Sequence, residues 1–147
     1  MILSLVTSPA AEPISAVEAK LHLREDGTEQ DNKVARSISA ARESVESLCG
    51  RALVNQTFDL KLPEFPRDDA AIHLPYPPLL EVVSVKYVDG AGDEQTLVVN
   101  TGYRVLQESG PRAWKSRIVL PYSGTWPTSR DQEDAIRIRF RAGYVTP

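Results

Sequence analysis

Apolar positions recur with two different periods along this chain, and the change falls near residue 50. Val34, Ile38, Ala41, Val45 and Leu48 are spaced by three or four residues, which puts them on one face of a helix. The spacing predicts a helix from about residue 31, and Gly50 is placed to end it in a left-handed cap. A shorter stripe, Val17, Leu21 and Leu23, predicts an earlier helix. Ser15 and Glu18 have the separation of a capping box, in which each side chain takes the other residue's amide. Gly27 lies in an acidic break (Glu25, Asp26, Glu29, Asp31) between the two helices.

Beyond Gly50 the period becomes two. Residues 57–62, 71–74, 82–88, 95–99, 103–106, 117–120 and 135–141 read as strands. Prolines and glycines punctuate them, and Asp89-Gly90-Ala91-Gly92 is placed as a hairpin turn. The last segment alternates strictly: Ile136, Ile138 and Phe140 on one face, Arg137, Arg139 and Arg141 on the other. Ser109-Gly110 and Ser123-Gly124 add turn signals. The pattern predicts an α+β fold, with two N-terminal α-helices (1–50) followed by a small antiparallel β-sandwich or barrel-like domain (51–147), together one compact unit. Two amphipathic helices alone make a poor bundle. They are expected to pack on the β part, on neighbouring subunits or on a further segment.

Charge divides at the same border. The net charge is −3 over 147 residues; residues 1–50 hold five basic and eight acidic side chains, and the remainder is balanced. That is far from the profile of a nucleic-acid coat or a polybasic membrane binder. The single Cys49 excludes an internal disulfide and is expected to be a small core residue. The apolar run at 1–6 is too short for a signal-peptide core, and no basic residue precedes Lys20. A soluble protein made in a reducing compartment is expected.

Candidate chemistry is sparse. His22 and His73 stand apart from each other and from Cys49, so no metal site is expected. There is no G-x-S-x-G, no phosphate loop and no carboxylate pair in an apolar run. No catalytic residue and no cofactor are expected. Three arginines on one strand face, Arg137, Arg139 and Arg141, are candidates for phosphate or partner contact, against the plainer reading of a solvated sheet face. Trp126-Pro127 with Arg130 is a candidate contact surface. Another possible reading is a β-sandwich binding module, with a pocket lined by Trp114, Trp126 or Tyr122.

The ordered pieces resemble a family. Leu5-Val6-Thr7-Ser8-Pro9-Ala10-Ala11-Glu12-Pro13-Ile14-Ser15, Glu18-Ala19-Lys20 and Leu21-His22-Leu23-Arg24 are similar to the start of phage head–tail connector (adaptor) proteins. Gly50-Arg51-Ala52-Leu53 with Gln56-Thr57 is similar to the family's helix-to-strand junction. Leu74-Pro75-Tyr76-Pro77-Pro78-Leu79, Ser84-Val85-Lys86-Tyr87, Tyr103-Arg104-Val105, Trp126-Pro127 with Arg130, and 135–140 through Gly143-Tyr144 follow in order. The resemblance implies a structural role in tailed phages, prophages or gene transfer agents. It implies a ring, twelve-fold in the particle, between the portal protein and the next neck (stopper) protein. DNA passes through the ring without sequence-specific binding. The location implied is the particle neck, assembled in the host bacterial cytoplasm with no membrane. Near-zero charge suits a channel through which DNA slides, with the acidic helices nearer the channel. In the family, further helices that help dock on the portal follow the motif at Gly143-Tyr144; this sequence ends at Pro147.

Overall fold

A computed structural model describes residues 1–108 and 114–144. The turn expected at Ser109-Gly110 lies outside them. In chain order the elements are β1 (Ile2–Thr7), α1 (Ala16–Leu23), α2 (Asp31–Cys49), β2 (Gln56–Leu62), a 3-10 turn (Arg67–Asp69), β3 (Ile72–His73), β4 (Leu79–Val88), β5 (Glu94–Leu97), β6 (Arg104–Leu106), β7 (Arg117–Val119) and β8 (Ile136–Ala142). The α+β class is as expected: two helices near the N-terminus, then antiparallel sheets.

A five-stranded sheet has the order β1-β2-β8-β4-β5, and a three-stranded sheet the order β3-β7-β6. All pairings between these strands are antiparallel. The strictly alternating β8 takes the centre of the larger sheet, between β2 and β4, where one face must be apolar along its whole length. Ile136, Ile138 and Phe140 are fully buried there, against Leu60, Phe58 and Val85. Ile72, Leu74 and Ile118 of the smaller sheet complete the same core. Phe58 stacks on both Tyr76 and Phe140, at centroid distances of 5.3 and 5.6 Å.

One strand was not anticipated. Residues 2–7 pair along β2, with Leu3 opposite Leu60 and Leu5 opposite Phe58. Six residues at a terminus, too short for a signal core, carry the composition of an edge strand, but only the partner β2 reveals it.

The helices behave locally as read. Ser15 Oγ accepts from the Glu18 amide, and Glu18 accepts from the Ser15 amide at 2.9 Å. Arg24 and Gly50 cap the two C-termini in the left-handed conformation. Of the three expected packings, the β part accounts for little of the helices' burial. Of the α2 stripe only Val34 is buried; Leu48 is 88% exposed, and no residue of α1 is buried. Cys49, expected in the core, is exposed at the end of the same helix. The reason is placement: the hairpin stands off the sandwich, joined to it through the end of α2 and the connector before α1.

Candidate functional site: the helical hairpin and the charged sheet face

A buried polar network ties the hairpin to the sandwich. Glu12, in the connector after β1, accepts from Ser39 Oγ at 2.7 Å and from Arg42 Nε at 2.8 Å. Arg42 also donates to Glu46 Oε2 at 2.7 Å, one helical turn on. Glu46 Oε1 in turn accepts from the Leu53 amide and from Gln56 Nε2 at the start of β2. Arg42, Glu46 and Gln56 are all buried. Burial opposes the Arg42 charge, but its bonds to Glu12 and Glu46 outweigh this and hold its pKa above the ordinary value. Polar positions of α2 thus face the junction with the sandwich, while its apolar stripe lies on the side toward α1.

The junction is closed by backbone. The Ala52 amide donates to the Pro77 carbonyl and the Gly143 amide to that of Pro78. Gly143 sits at φ +115°, and a Cβ there would lie 2.0 Å from the Val54 carbonyl oxygen. Only glycine permits this approach.

Between α1 and α2 runs an open apolar groove of about 590 Å³, lined by Pro13, Ile14, Ala19, Leu23, Val34 and Ile38 among others. It also takes in the exposed Val45. Exposed apolar surface of this kind marks an interaction site.

The outer face of the larger sheet carries the arginine row, and each arginine has a carboxylate partner on the same sheet: Asp59 and Glu81 on the adjacent strands β2 and β4, Glu94 on β5 beyond β4. Arg137 donates to Glu94 at 2.7 Å, and Lys86 reaches the same carboxylate at 2.7 Å. Arg139 forms a forked pair with Asp59, both bonds 2.8 Å. Arg141 meets Glu81 at 2.8 Å and Asn55 at 3.3 Å. Hydrogen bonds from Arg139 hold Asp59 below the usual carboxylate range, and the Lys86 bond does the same for Glu94. The row is therefore a charge-compensated ladder.

Trp126 and Arg130 lie elsewhere. Trp126 stacks on Phe65, with centroids 4.9 Å apart and planes 6° from parallel, and its Nε1 donates to the Ala70 carbonyl. Arg130 is exposed; its amide donates to the Val88 carbonyl, and its guanidinium lies against Gly92 at φ +100°. The cleft beside Trp126, about 710 Å³, includes neither Trp114 nor Tyr122, both of which are exposed. His22 and His73 are exposed and far apart in the fold's elements, and no metal-binding cluster occurs among the described residues. No helix among the described residues is long and apolar enough to cross a membrane.

These features define an α+β protein whose developed surfaces are a splayed helical hairpin and a neutralised sheet face. Chains with this fold are known from solved particle structures. A chain in the neck of an empty gene transfer agent particle, computed with C6 symmetry, superposes with a TM-score of 0.73 at 25% identity, covering 98% of this chain and 72% of that one. One in the virion of a native gene transfer agent particle gives 0.72 at 26%, with the same coverage. A third, from the neck of a native particle computed with C12 symmetry, shares the fold at 0.68 and 23%, covering 99% and 71%. No family model and no curated protein matches the chain.

Proposed function

We propose that this chain is a structural neck protein of a phage-like particle: an adaptor that forms a ring below the portal, extends the DNA channel and joins head to tail. The observation that carries the reading is the match over nearly the whole chain to chains of gene transfer agent necks and virions.

The physical features agree with it. A ring requires two different surfaces that meet by rotation. The hairpin leaves its apolar stripe uncovered within the chain, which suits contact with a portal, a next neck protein or a neighbouring copy. DNA must pass without being held. Arginines already bonded to Glu94, Asp59 and Glu81 have little capacity left for phosphates. The role is mechanical, with no reaction assigned to it.

The test is direct. Particles purified from a strain carrying an epitope-tagged copy are imaged and their necks analysed by mass spectrometry. The chain is expected in the neck in several copies per particle. Its absence from intact particles sinks the assignment.

A further inference from the structure

Among the described residues the five-stranded sheet has two free edges, and they are complementary. β1 is one of them. Its six residues, Ile2–Thr7, include no charge, no proline and no glycine, and all but Leu3 are exposed. Natural edge strands are guarded by lysines, prolines or covering loops. Among the described residues none of these covers β1, and its one irregularity is a shift of register between Leu5 and Thr7, so its regular edge runs over Ile2–Leu5.

The opposite edge is β5. Glu94, Gln95 and Thr96 are exposed along it; the chain leaves the strand after Leu97, where the Val98 carbonyl accepts from the Thr101 and Gly102 amides and Val99 bridges to Tyr103. Its one charge, Glu94, is drawn back across its own sheet by Lys86 and Arg137. Pairing at this edge therefore buries no uncompensated charge.

Side-chain direction matches as well. Leu97 lies opposite the buried Val85, so Leu97 points to the core side. Leu3 and Leu5 lie opposite Leu60 and Phe58 and point the same way. The core-side row of β1 ends uncovered, with Leu5 50% exposed. Strand directions agree too. Because every neighbouring pair is antiparallel, β1, β8 and β5 run one way and β2 and β4 the other. A rotational repeat that continues the sheet sets β5 of one copy parallel to β1 of the next.

We propose that copies of this chain join head to tail through these edges, β5 (Glu94–Leu97) of one copy adding to β1 of its neighbour. This rests on the ring reading above and supplies its contact. The interface is heterologous, as cyclic assembly demands, and the solved chains of this fold come from necks computed with cyclic symmetry.

The experiment uses two variants of the full chain, Leu5→Lys and Thr96→Lys, each blocking one edge. Circular dichroism confirms that both fold, and Thr96 is exposed enough to accept lysine without disturbing the core. Sedimentation is followed over a wide concentration range. The wild type is expected to grow in mass with concentration, and each variant alone to stay at 16.2 kDa. Their equimolar mixture is expected to reach twice that mass and stop, because one sound edge of each kind remains. A wild type that stays monomeric overturns the proposal, as does association that survives both substitutions. Loss of association in Leu5→Lys alone also overturns it, by indicating a two-fold β1–β1 contact. Any of these results with the protein still present in particle necks leaves the neck assignment standing. Absence from the necks strikes that assignment instead.

Discussion

Arg139 and Asp59 face each other across the β8–β2 ladder and share two parallel hydrogen bonds of 2.8 Å, although they lie 80 residues apart in the chain. The fork holds Asp59 ionised where its low exposure would otherwise favour the neutral acid.

The first expectation concerns pH. Because the folded-state pKa of Asp59 is depressed, its contribution is present at neutral pH and is lost as pH falls through the folded value, below the ordinary range near about 4. Asp59→Asn should cost about 1–2 kcal/mol at pH 7. Denaturation midpoints of the two proteins should converge by the acid end of a titration. A gap that stays constant from neutral to strongly acid pH contradicts the assignment.

Removing Arg42 takes a partner from three carboxylates: the buried Glu46, Glu12 and the exposed Glu43. Arg42→Met should destabilise the chain by about 3 kcal/mol, read from urea midpoints. Glu46→Gln, which keeps an acceptor for the Leu53 amide, should cost less. Equal costs would mean that the ion pair contributes little beyond hydrogen bonding.

Gly143→Ala places a Cβ against the Val54 carbonyl at a backbone angle that alanine resists. A loss of at least about 2 kcal/mol is expected from strain and overpacking combined. Gly50→Ala, with open space around the site, should cost less, about 1 kcal/mol. Thermal melts of the two side by side decide the ranking.

Leu48 tests the exposed hairpin. At 88% exposure, Leu48→Ser should change the stability of the isolated chain by less than about 0.5 kcal/mol. If this face meets a neck partner, incorporation of the variant into particles should fall well below wild type. Normal incorporation removes this face from the interface.

The arginine row gives a last expectation. With its carboxylate partners in place, the wild type should not retard duplex DNA at physiological salt. Arg137, Arg139 and Arg141 changed together to serine should leave mobility unaltered. A salt-dependent shift that the triple substitution abolishes would establish phosphate contact.

How far the sequence could be read follows from the range of each interaction. The α2 periodicity identified the helix correctly and left its surroundings open: a stripe at helical spacing reports which residues share a face, not what covers it. Cys49 was misplaced for the same reason. The strand β1 escaped notice because an edge strand needs only composition and a partner. The partner, β2, begins 49 residues after β1 ends.

What the sequence determined by itself is local. Ser15 and Glu18 close a capping box three residues apart, Gly50 ends α2, and the alternation of β8 sorts isoleucine and phenylalanine from arginine. Each device works through neighbours a few residues away, so it is legible in one dimension. The tertiary structure alone decided that β8 lies between β2 and β4, and so which carboxylates neutralise its arginines. It also decided that the hairpin stands clear of the sandwich and that β1 and β5 become the open edges. Those outcomes depend on register and on the burial of one shared core. Both are settled by contacts between residues far apart in the chain, whose pairing no local pattern specifies.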